Sequence, residues 1–217
     1  MHLNLGEVIK MYSLQYRQKM KLEQTGEGGN CPIRLKEEVS FVLQEIAYDT
    51  TIETICENLV YPILKESWKS FSNMLSLWGH ISIEDKERSA ILFDYLFTKR
   101  SEFGKIMIEP PYLMMVEVVK DAPKTQSGAA LAKMYALQQM NSDLSLTIYT
   151  ILTNGEIWEF SKLEQNVFTQ YIERFDIGDL DRLFGGVSNF FGLANKQIIE
   201  GNIVPLDIHS KRKENNG

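Results

Sequence analysis

The sequence predicts an α/β domain, and three observations carry the prediction. Its elements follow the order helix, three strands, helix, strand, strand. Tyr112–Lys120, behind Pro110-Pro111, is a nearly all-apolar run, as in a central strand covered on both faces. Asn154-Gly155 separates two strand-like segments, Ser145–Thr153 and Glu156–Leu163, and is a strong hairpin signal.

The elements follow in order. Residues 1–20 read as an amphipathic helix, with Leu5, Val8, Ile9, Tyr12 and Tyr16 at helical spacing. Glycines make Thr25–Asn30 a linker, and Arg34–Tyr48 reads as a second helix presenting Val39, Val42, Leu43 and Ile46. Residues 1–48 thus form a helical appendage that covers the core or pairs with a second copy. Asp49-Thr50-Thr51 opens the next helix, where Thr50 and Glu53 fit a capping box. Its apolar stripe runs from Ile52 to Phe71, and Pro62 should kink it. Strands over Met74–His80 and Ala90–Thr98 flank the charged turn Glu84–Arg88. Gln126–Asn141 is helical, Val167–Ile172 adds a strand, and Asp179–Ala194 is a last helix despite Gly185-Gly186. The main domain spans residues 49–195, and 196–217 form a C-terminal tail. The sequence holds no internal repeat and no low-complexity segment.

Composition narrows the function classes. A chain of 217 residues with 44% apolar content can bury a sizeable core. No apolar run approaches the roughly 18 residues of a membrane-spanning helix, so no membrane association is expected. Glu7, Lys10, Arg17 and Lys19 break up the first twenty residues, unlike a signal peptide. Cys31 and Cys56 form neither a metal-ligand spacing nor a disulfide framework, which fits a reducing cytosol and a cytoplasmic location. The net charge of −6 argues against strong sequence-independent nucleic-acid binding, although a local basic groove is compatible with it. The one dense basic cluster, Lys211-Arg212-Lys213, reads as a solvated terminus. His2, His80 and His209 lie too far apart to suggest a metal triad, Ser127-Gly128 is not a nucleophile elbow, and no Walker-type glycine loop exists. Trp158 and Phe160 fit hairpin core positions; Met107, Met114, Met115, Met134 and Met140 read as core filler.

Two carboxylates interrupt otherwise apolar strands: Asp94 in Ile91–Phe97, and Glu117 in Leu113–Val119. A charge in a central strand costs on the order of several kcal/mol unless it is paired, hydrogen-bonded or metal-bound. That cost singles the two residues out, either as satisfied structural ion pairs or as a site.

Four segments, taken in order, carry a resemblance: Cys56–Leu64, Phe93-Asp94-Tyr95-Leu96, Pro111–Glu117 and Tyr149–Phe160. The stretch from Asp49 to about Ile172 resembles the PD-(D/E)XK restriction-endonuclease-like superfamily. Within it, the likeness is to the N-terminal nuclease domain of type I restriction enzyme R subunits and its small stand-alone bacterial relatives. The resemblance implies an αβββαβ core with a mixed central sheet, to which an added β-hairpin and terminal helices are joined. It also implies that Asp94 and Glu117 hold a divalent ion, Mg²⁺ or Mn²⁺, for phosphodiester hydrolysis. Glu57 or Glu53 matches the acidic residue of the preceding helix only loosely.

The E-x-K lysine position is Val119. Lys120 is adjacent, but alternation along a strand points it to the opposite face unless a bulge intervenes. Lys133, on the following helix, is a candidate migrated lysine. The glutamine that some relatives place one turn before a tyrosine is also absent: counting back from Tyr135 gives Leu131. The expectation is therefore a nuclease-fold protein with a degraded site, a non-catalytic binder or regulator of a protein or nucleic acid. The alternatives are an active Mg²⁺-dependent nuclease with a relocated lysine, and a structural homodimer joined through its N-terminal helices.

Overall fold

A computed structural model describes residues 3–23, 30–85, 88–141 and 143–200. Eight strands form one mixed sheet in the order β1-β7-β6-β5-β4-β3-β2, with the short β8 (Phe175–Asp176) pairing β6. The strands are β1 (Gln15–Lys19), β2 (Leu75–Glu84), β3 (Ala90–Lys99), β4 (Tyr112–Val118), β5 (Ile148–Thr153), β6 (Ile157–Glu164) and β7 (Val167–Tyr171). The pairs β4–β5 and β1–β7 are parallel, and the others are antiparallel. The expected order is present: a helix, three strands, the helix α5 (Ser127–Met140), then the β5–β6 hairpin.

Helices cover both faces. On one lie α2 (Ile33–Glu45), the segment from α3 (Ile52–Ile55) to α4 (Tyr61–Trp68), and α6 (Leu180–Glu200). They enclose a core that includes Leu59, Ile63, Val116, Trp158, Phe160 and Phe190. On the other lie α1 (Leu5–Met11) and α5, around Val8, Met115, Leu131, Met134 and Phe168. β4 is buried from both sides, which explains its all-apolar sequence. Because β4 and β5 are parallel, the chain between them must cross over a face of the sheet, and α5 makes that crossing above β4 and β5.

Several expectations need correction. Residues 1–20 are not one helix: α1 ends at Met11, Ser13 takes a left-handed conformation with φ 52°, and β1 follows. A left-handed residue cannot continue a helix, and the period of Tyr12 and Tyr16 hides the break. Tyr12 stacks on Tyr135 of α5 at 3.9 Å, while Tyr16 lies in the strand. The N-terminal helices pack against the two cores through Val8, Leu35, Val39 and Val42, which are buried. Apolar side chains that α2 leaves in solvent include Ile33, Phe41 and Leu43. The cap of α3 is Thr51 with Thr54, not Thr50 with Glu53. Pro62 brings a π-turn over Cys56–Val60 immediately before α4, because its missing N–H breaks the regular ladder there. Met107 is 44% exposed rather than core filler, and α6 runs past residue 195 to Glu200. The linker Thr25–Gly29, His2, His209 and the Lys211–Lys213 cluster lie outside the described residues. Cys31 and Cys56 are both free and buried. No helix among the described residues is long and apolar enough to cross a membrane.

Two glycines fix how layers meet. Gly128 lets the backbone at Leu3 and Asn4 lie directly on α5, where any Cβ would collide with the Leu3 carbonyl. Gly155 turns the β5–β6 hairpin at φ 89°, and a Cβ there would stand 2.8 Å from Ile55 Cγ2. Replacing Gly155 by Ala should therefore cost about 1–3 kcal/mol from the backbone conformation alone. The loss should appear as a lower urea midpoint; an unchanged midpoint would show that the turn re-forms another way.

Candidate functional site

The site lies where β3 and β4 pass under α5. On β4, Met114, Val116 and Val118 belong to one core, while Tyr112 and Met115 belong to the other. Glu117 therefore falls on the α5 side. Its side chain is 12% exposed, and Lys133 of α5 forms a short ion pair with its Oε2. The same ammonium donates to the Leu92 carbonyl at 2.6 Å and stands 5.5 Å from the centre of the Phe93 ring. Burial pushes the Glu117 carboxyl up to about 7; Lys133 opposes that rise, and the nearby Asp94 charge adds to it. The other oxygen, Oε1, is buried without a hydrogen-bond partner.

Asp94 sits on β3 beside this group, and its Oδ2 accepts the Val118 N–H at 2.7 Å. The carboxylate thereby takes a hydrogen bond that crosses from one strand to the next. Opposite it on β2, His80 has φ 49°, and the regular pairs Gly79–Tyr95 and Ile81–Phe93 lie on either side of it.

The candidate lysines separate. Lys120 donates to the Thr50 carbonyl at 3.0 Å, an exposed contact at the start of the α3 segment. It does not join Asp94 and Glu117, as alternation along the strand requires. The Val119 N–H donates to the Thr153 carbonyl at 2.8 Å, so the chain continues the parallel ladder and does not turn Lys120 inward. The structure brings Lys133 to the carboxylates instead. Glu53 and Glu57 are both exposed. No group of three or more His, Cys, Asp or Glu suited to a metal exists among the described residues, so any ion would rest on the Asp94–Glu117 pair.

Sequence reasoning passed over Glu159. It lies on β6 between Trp158 and Phe160, which are fully buried in the first core. Alternation sends Glu159 to the α5 face, and that was its available signal.

No family model matches the sequence, and no curated protein matches it. Among solved structures, a cryo-EM structure of a DrdV–DNA complex aligns with a TM-score of 0.46 at 13% identity. The alignment covers 77% of this chain and 14% of that one, and a likeness of this size carries no argument about function. What stands is the fold class: a mixed α/β domain with the expected αβββαβ order.

Two predictions follow from this geometry. Asp94→Asn keeps an acceptor for the Val118 N–H and should leave stability within about 0.5 kcal/mol, whereas Asp94→Ala orphans that N–H and should cost about 1–3 kcal/mol. Urea melts of the two variants measure the difference. Glu117 binds its proton more tightly folded than unfolded, so the stability it contributes is full below about 4.5 and is lost as pH rises to about 7. Glu117→Gln lacks that titration. The wild type should lose up to about 3 kcal/mol relative to the variant between those pH values in metal-free buffer. Parallel pH profiles would refute the assignment.

Proposed function

We propose that the chain is a divalent-metal-dependent phosphodiesterase acting on nucleic acid, with Lys133 supplying the amine that the E-x-K pattern lacks at Val119. The observation that carries this reading is the grouping of Asp94, Glu117 and Lys133, with Glu117 Oε1 buried and unpartnered. An orphaned carboxylate oxygen beside a second carboxylate suits a hard cation, which takes oxygen ligands and keeps several waters. Asp94 and Glu117 would hold that ion, and when bound it would polarise the phosphate and lower the pKa of a bound water.

The chain's own residues have separable tasks. Lys133 uses one N–H on Glu117 and one on the Leu92 carbonyl, leaving a third donor. That donor can orient the attacking water or bind a non-bridging phosphate oxygen, and its charge stabilises the extra negative charge of the transition state. Val118, through its backbone N–H, fixes the Asp94 carboxylate against β4. Phe93, beneath the ammonium, limits water around it.

A second reading, a retired site that binds a partner without cleaving it, is favoured by Val119 at the E-x-K position. A cleavage assay on plasmid and single-stranded substrates in Mg²⁺ and in Mn²⁺ separates the two. Activity should fall by at least about 10²-fold in each of Asp94→Asn, Glu117→Gln and Lys133→Ala. Cleavage absent from the wild type, or equal in all four proteins, would sink the catalytic reading.

A further inference from the structure

A second polar site lies beside the first. Glu159 is 9% exposed, and its Oε2 is buried with no hydrogen-bond partner. Its side chain borders a cavity of about 90 Å³ lined by Gln18, Lys124, Gln170, Arg174 and Glu173, whose carboxylate is already held by Arg182 and the Leu22 N–H. On another side it meets a smaller space walled by Ser127 and Ser161. Lys124 and Arg174 are exposed at the rim and act on Glu159 through space. The rim is organised: Gln18 Nε2 donates to the Tyr16 hydroxyl at 2.6 Å, which donates to Gln170 Oε1 at 3.0 Å.

Its position ties it to the Asp94–Glu117 pair. Glu117 on β4 registers with Leu152 on β5, and Leu152 registers with Glu159 on β6. Glu159 therefore lies about 10 Å along one transverse row from Glu117, two strand spacings away on the same face.

The lining selects among ligands. A simple anion would meet the Glu159 carboxylate, and a simple cation would meet Lys124 and Arg174. A ligand carrying both a phosphate and a hydrogen-bond donor satisfies all three. We propose that this pocket binds a nucleotide neighbouring the one held at Asp94 and Glu117. Lys124 and Arg174 contact its phosphate, and Glu159 accepts from the exocyclic amino group of its base. The inference rests on the nucleic-acid reading above. Carboxylates accept from cytosine N4 in this way, and thymine offers no such amine. Tyr16, 44% exposed on β1 and separated from β6 by β7, supplies a ring face for stacking.

The test is fluorescence anisotropy with labelled oligodeoxycytidine and oligodeoxythymidine of equal length, in EDTA. The cytidine strand should bind about tenfold tighter, and Glu159→Leu should reduce that preference to about twofold or less. Lys124→Ala/Arg174→Ala should weaken both strands alike and flatten the salt dependence by about 0.7–1.4 in log–log slope. Thermal melts check folding, and Glu159→Gln replaces the leucine variant if that one unfolds. Equal binding of the two strands by the wild type, a preference that survives both Glu159 variants, or no binding of either strand would overturn the proposal. Because binding is read without metal, a preference found without any cleavage would sink the catalytic reading alone. Cleavage found without a preference would sink this one alone.

Discussion

The arrangement depends on a carboxylate being held under a helix. Glu117 sits on a strand whose neighbours are all apolar, and water reaches little of it. Such a group is tolerable where a cation meets it or where it keeps its proton, and Lys133 is that cation. The ion pair ties β4 to α5, and the Lys133 bond to the Leu92 carbonyl extends the tie to β3. Three elements thus converge on one ammonium. The placement of α5 follows from the crossover between β4 and β5, and Gly128 and Tyr135 fix it from outside by receiving Leu3, Asn4 and Tyr12.

The proposed chemistry can be delivered from different backbone positions. On a strand, an amine two residues after Glu117 would share its face; here valine takes that place and an amine descends from the helix above. What the proposed reading asks for is a cation near two carboxylates, not a particular place in the sequence. The cost is that helix and sheet must keep their spacing, since a long lysine side chain reaches across the gap between layers.

Much of the fold was legible, for identifiable reasons. The all-apolar β4, the Asn154-Gly155 turn and the stripe from Ile52 to Phe71 each impose one backbone state. Asp94 and Glu117 stood out because charge is expensive where they lie. β1 was not legible: its side chains are mostly exposed, so it carries no alternating burial pattern, and a helical period ran across the turn at Ser13. That no lysine stands two residues after Glu117 was visible at Val119, but the meeting of Lys133 with Glu117 depends on the height of α5 above the sheet. No local pattern encodes that distance. Glu159 was masked by its aromatic neighbours, which draw attention to the opposite face.

The pairing of β1 with β7 has a consequence of another kind. β7 carries Phe168 and Tyr171, and β1 covers its free edge, from Gln15 against Val167 to Lys19 against Tyr171. Without β1, a row of unpaired backbone groups beside apolar side chains would face other molecules, the usual template for strand addition and aggregation. β1 itself presents Arg17 and Lys19, and charged residues on an outermost strand discourage further pairing. The short first strand thus acts as a guard on the sheet's outer side, leaving β7 no open edge on which another strand could add.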